Sequence, residues 1–179
     1  RPAFGAVCNI SGFQSVNPSG VTRHTVTGCG GFSHGAWKNG TQLNGDGNRY
    51  HWLETGIIPN DLRKPKDIEA AEDNNTKPPT FFNDVFAANS NYASATETMY
   101  DVIYDRNGSV EGEAVAALLN AIYFKWGNGD GKIHPLDVVG VYDAHVLGDS
   151  TYITQNGNEV NISAFTDESL KNFFQQLQH

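Results

Sequence analysis

Charge is scarce in this chain, and positive charge is the scarcer kind. Only 18% of the 179 residues are charged, with 12 Lys and Arg against 20 Asp and Glu, for a net charge of −8; a soluble domain usually carries about a quarter. Arg63, Lys64 and Lys66 are the one close basic group. Binding to duplex nucleic acid calls for a concentrated cationic face, so no nucleic-acid partner is expected. Long apolar runs are missing too. None approaches the ~20 residues of a membrane helix, so no membrane span is expected. Cysteine is limited to Cys8 and Cys29, a pair without zinc-site spacing. The Gly-x-Ser-x-Gly elbow, the phosphate-cradling glycine loop and the paired His with Glu of helical zinc hydrolases are all absent. His24, His34, His51, His134, His145 and His179 are scattered, and Ser33 beside His34 in sequence is poor geometry for a nucleophile and its base. These absences weigh against catalysis. A carboxylate pair for hydrolysing polysaccharide is a spatial feature and leaves no trace in a sequence.

What is present is a polar, weakly charged chain with 39% hydrophobic residues, enough for one core. A single domain over 1–179 is expected. Gly, Asn, Ser and Thr replace the missing charge, as is common outside the cell, and an acidic surface suits a medium rich in divalent cations. The chain opens on Arg1 with no signal peptide in view, which we read as a mature, secreted chain whose leader has been removed. In that compartment Cys8 and Cys29 are expected to form a disulfide, worth roughly 3 kcal/mol in the chain-entropy picture.

The expected fold class is α+β. Residues 1–50 read as a disulfide-linked, glycine-rich loop and β part, with short strands at Phe13–Val16 and Val21–Val26. Residues 60–80 read as an exposed polar excursion, with one helical turn at Ile68–Ala71. From 80 to 147 the signals are helical. Ser94 and Glu97 fit a capping box ahead of Met99, Val102 and Ile103. Ser109 fits a cap for a central core helix whose stripe is Val115, Leu118, Leu119, Ile122 and Trp126, with Glu111 and Glu113 at its positive end. Pro135 suits the first turn of a helix over 135–147, although the valines there also fit a strand. Asn156-Gly157 predicts a hairpin over 151–162. A last helix, 166–178, starts at Thr166 and carries Leu170, Phe173, Phe174 and Leu177 on one face.

Gly35-Ala36-Trp37-Lys38-Asn39 after a cysteine, then Trp52, Gly56 with Pro59, Phe82-Asn83-Asp84-Val85-Phe86 and Ala114-Val115-Ala116-Ala117-Leu118-Leu119-Asn120-Ala121 follow one order. That order resembles a bacterial exported domain with a C-T-P-G-Y-W-K-N-H signature and an A-V-A-A-L-L-N-A helix, over about 29–147. His34 and Ala36 stand where that pattern has Pro and Tyr, and Glu113 where it has a basic residue or Gln. The resemblance implies a secreted or surface-anchored location and no established catalytic activity.

Asn128-Gly129-Asp130-Gly131-Lys132-Ile133 resembles the second half of a dockerin or EF-hand calcium loop. Its oxygen ligands would be Asn128, Asp130, the Lys132 carbonyl and Asp137; Trp126 stands at the first ligand position, where its side chain cannot coordinate. Asn-Gly-Asp-Gly recurs at 44–47; calcium is thus the one candidate cofactor, and two tight glycine turns are the plainer reading. Trp37, Tyr50, Trp52 and Trp126 could stack on sugar rings, against the simpler expectation that Trp37 and Trp52 pack in the core. Phe4 and Val7 in the uncharged segment 2–7, and Leu170, Phe173, Phe174 and Leu177 at the other end, could mediate self-association. The function expected from all this is a structural or adhesive protein of the bacterial surface or matrix, a fibre or surface-layer subunit. A polysaccharide-binding module and a polysaccharide hydrolase are the alternatives.

Overall fold

A computed structural model describes residues 31–39, 52, 54–59, 79–87, 96–106, 108–127 and 133–178. The expected disulfide of Cys8 and Cys29, the strands expected in the first 30 residues, the 60–78 part of the expected polar excursion, and Phe4, Val7, Ser94, Tyr50, Asn128, Asp130 and Lys132 lie outside those residues. The described elements, in order, are α1 (His34–Asn39), α2 (Phe82–Val85), α3 (Met99–Asp105), α4 (Val110–Tyr123), α5 (Pro135–Leu147), β1 (Thr151–Ile153), β2 (Glu159–Asn161) and α6 (Asp167–Gln176). The fold is α+β and mainly helical, with a small antiparallel sheet late in the chain.

The centre is α4. Every residue from Val110 to Ala121 is buried, so the apolar stripe read from the sequence is in fact a helix enclosed on all sides. Ala114, Ala116, Ala117 and Ala121 make this possible, because small side chains let α6, α3, α5 and α1 all pack against it. Ser109 caps it, its Oγ accepting from Gly112 N at 3.1 Å. The helix stops at Tyr123, short of the expected stripe. Trp126 still reaches the core, carried there by a turn in which Trp126 N donates to Ala121 O at 2.9 Å and Lys125 takes a φ of 56°.

The cap of α3 differs from the expected Ser94–Glu97 box. Thr98 is the N-cap, with Asp101 N donating to its Oγ1 at 2.9 Å and Thr98 N donating to Asp101 Oδ2 at 3.0 Å. Glu97 is instead held by Arg106, with both Nε and Nη2 at 3.1 Å.

For residues 135–147 the helix wins over the strand. Pro135 sits in the first turn, and His134 N donates to Asp137 Oδ2 at 2.9 Å. Gly148 closes the helix at a φ of 80°. The hairpin pairs Thr151 with Asn161 and Ile153 with Glu159, around a turn that includes Gly157 at a φ of 85°.

The hairpin rests on α5 at Gly140, where the Tyr152 ring and hydroxyl occupy the place a Cβ would take. Gly140→Ala gains helix propensity of about 1 kcal/mol but forces that ring away, an overpacking cost of typically 1–3 kcal/mol. The variant is therefore expected to melt a few degrees lower than the parent by circular dichroism. An unchanged or raised melting temperature would mean that Tyr152 does not lie against α5.

Candidate functional site

Three buried polar side chains, Glu113, Asn120 and Asp137, organise the described polar chemistry. Each collects hydrogen bonds from residues distant in sequence.

Asn120, fully buried on α4, faces the turn before α1. Its Oδ1 accepts from Phe32 N at 2.8 Å and from Trp37 Nε1 at 2.9 Å, and its Nδ2 donates to Phe32 O at 2.8 Å. A Cβ on Gly31 would overlap the Asn120 amide, so only glycine allows this approach. Trp52 Nε1 then donates to Trp37 O at 2.8 Å, and Tyr100 hydroxyl to Lys38 O at 2.9 Å. The rings close the same joint edge to face, with Trp37 and Trp52 centroids 5.9 Å apart and Trp52 and Tyr100 5.8 Å apart. Residues of the Gly-Ala-Trp-Lys-Asn and Ala-Val-Ala-Ala-Leu-Leu-Asn-Ala segments thus meet in space.

About two helical turns toward the start of α4 lies Glu113, with no exposed surface. Its Oε2 accepts from His34 Nδ1 at 2.8 Å and from Gln175 Nε2 at 3.1 Å; its Oε1 accepts from Gln178 Nε2 at 2.9 Å. The side chain of His34 keeps 27% of its surface. A buried carboxylate that orients one imidazole nitrogen and leaves the ring edge toward solvent is the geometry in which a histidine acts as a base. Two glutamines from the end of the chain share that carboxylate, so the same geometry ties α1, α4 and α6 together.

Asp137, the fourth oxygen ligand expected for a calcium loop, is spent elsewhere. It is fully buried, with Oδ1 accepting from Tyr152 hydroxyl at 2.8 Å and Gln155 N at 2.9 Å, while Oδ2 serves the α5 cap. Burial and the facing Asp137 carboxylate push the Tyr152 phenol far above its ordinary range, so it remains a donor. Calcium at Asn128, Asp130 and Lys132 would have to bind without Asp137. Among the described residues no group of three His, Cys, Asp or Glu side chains is placed to hold a metal.

The expected sugar platform loses three of its four rings. Trp37 and Trp52 are wholly buried and Trp126 nearly so, for the reasons just given, and they offer no ring face to a pyranose. The expected assembly face is likewise internal: Leu170, Phe173, Phe174 and Leu177 are all fully buried and belong to the core cluster that includes α4. No described helix is long and apolar enough to cross a membrane. Sequence reading missed the His34–Glu113–Gln178 cluster and the Asn120 joint, because their members are 65 to 88 positions apart; the one available hint was Glu113 and Asn120 inside a mostly apolar helix.

Compared with protein-family models, curated proteins and solved structures, the chain matches none.

Proposed function

We propose that this chain is a structural or adhesive module of a bacterial surface or extracellular matrix, one that works by assembly and attachment. The observation that carries this reading is the use made of its buried polar groups. Glu113, Asn120 and Asp137 each join two or more segments, and their hydrogen-bonding capacity is taken up in doing so. A chain that commits its interior polar groups to holding distant segments together favours a rigid, long-lived building block. The sparse charge, the glycine- and asparagine-rich composition and the resemblance to an exported domain point to the same location.

Assembly must use a surface other than the α6 face, since that face is core. The segment Pro2-Ala3-Phe4-Gly5-Ala6-Val7, which lies outside the described residues, has the composition to add as an extended strand to a second copy. Light scattering and negative-stain microscopy of the full chain are expected to show concentration-dependent assemblies, and a chain lacking residues 1–7 to remain folded and monomeric. A full-length chain that stays monomeric at every concentration would overturn the assembly reading.

A further inference from the structure

Between the first turns of α4 and α6 lies a cavity of about 270 Å³, lined by residues 108–111 on one side and by Asp167, Glu168 and Lys171 on the other. Three of the lining side chains are carboxylates and one is an ammonium. Two of the carboxylates have cationic or imidazole partners: Asp167 Oδ1 meets His145 Nε2 at 2.7 Å, and Glu168 Oε2 meets Lys171 Nζ at 3.1 Å. Glu111 is different. Only 4% of it is exposed, its carboxylate is met by its own backbone N–H, and among the described residues no other side chain bonds to it. Arg106 acts on it only through space, because the guanidinium is engaged by Glu97. Burial pushes the Glu111 carboxyl above its ordinary range in spite of Arg106, so the negative charge there is under-compensated.

We propose that this cavity binds an alkylammonium group, with Glu111 as its carboxylate partner on the buried floor and Glu168 at the open rim. The inference is independent of the assembly reading above. An anion is disfavoured: the first turns of α4 and α6 would attract one, but the three lining carboxylates, Glu111, Asp167 and Glu168, repel it. A divalent ion is disfavoured because these carboxylates do not converge as a described metal-holding group. An alkyl chain with a charged head instead spans from rim to floor. Lys171, whose side chain keeps 22% of its surface, shows that this wall holds an ammonium.

The chemistry is shared by a free aliphatic amine and by a lysine side chain of a partner protein. Titration of the ¹⁵N-labelled full chain with butylammonium and with N-acetyl-lysine amide, followed by amide shifts, tests it. Calcium chloride and N-acetyl-norleucine amide are the controls. Both ammonium compounds are expected to shift Gly108, Ser109, Glu111 and Lys171 saturably, with norleucine amide silent. Tighter binding of the lysine compound assigns the source to a protein side chain, and tighter binding of butylammonium assigns it to a free amine. Glu111→Gln, close to isosteric, should weaken binding on the order of tenfold to a hundredfold, as loss of one partner from a buried charge pair does. Lys171→Met, which removes the internal competitor, should tighten it. Absence of a saturable shift, equal affinity in Glu111→Gln, or calcium displacing the ammonium compounds from these amides would overturn the proposal.

Discussion

Asn120→Ala is expected to cost about 3–5 kcal/mol, enough to leave much of the chain unfolded. The substitution removes one side chain but orphans three groups, the N–H and C=O of Phe32 and the indole N–H of Trp37. An unsatisfied buried group costs about 1–3 kcal/mol, and the vacated volume adds a cavity term. Trp37→Phe, which deletes one of the three donors and acceptors, is expected to cost less. The double variant should lose less than the sum of the two single losses, because the Trp37 bond cannot be lost twice. Urea denaturation of the four proteins measures this. Strict additivity, or a loss under 1 kcal/mol for Asn120→Ala, would mean that Asn120 does not hold the α1 segment to α4.

The second large effect is at Phe173. Truncation of a fully buried phenylalanine to alanine costs roughly 3–5 kcal/mol, and Phe173 has no exposed surface. Because the α6 face lies within its own chain, the loss is expected to be the same at low and high protein concentration. A face buried between subunits would behave otherwise, since mass action raises the stability of an assembled contact with concentration. Denaturation midpoints of the parent and of Phe173→Ala, each at two concentrations well apart, separate the cases. A parent midpoint that climbs with concentration while the variant's does not would return α6 to the interface.

The elements legible in the sequence are those whose signals are local. Ser109 ahead of an apolar run, Asn156-Gly157 between alternating residues, and Thr166 ahead of Leu170, Phe173 and Phe174 each specify a cap, a turn or a face within a few residues. Where two local solutions compete, sequence alone does not rank them. Ser94–Glu97 and Thr98–Asp101 both fit a capping box, and Arg106, nine residues beyond Glu97, claims the glutamate. The six-residue α1 carries no helical signal in the sequence, because a helix so short shows no period and stands among glycines. The apolar stripe of Leu170 to Leu177 is legible, but amphipathicity carries no address, and the self-association expected of it gives way to packing within the chain's own core. Its partner wall on α4, like the partners of Glu113 and Asn120, is set by the tertiary fold.

The placement of α6 has a consequence for how the chain is made. Synthesis delivers α4 first, with α5, the hairpin and the intervening turns following before Asp167 emerges. Until Leu170, Phe173, Phe174 and Leu177 arrive, one flank of α4 has no cover, and Glu113 lacks both of its glutamine donors. The contacts that complete the core also span long stretches of chain, 65 positions from Glu113 to Gln178 and 88 from Phe32 to Asn120, and the entropy of closing such loops must be met before they contribute. A ribosome-bound intermediate that ends before α6 is thus committed to its helices but not to its interior. It carries an open apolar flank, and that flank closes only once α6 has emerged and docked on α4.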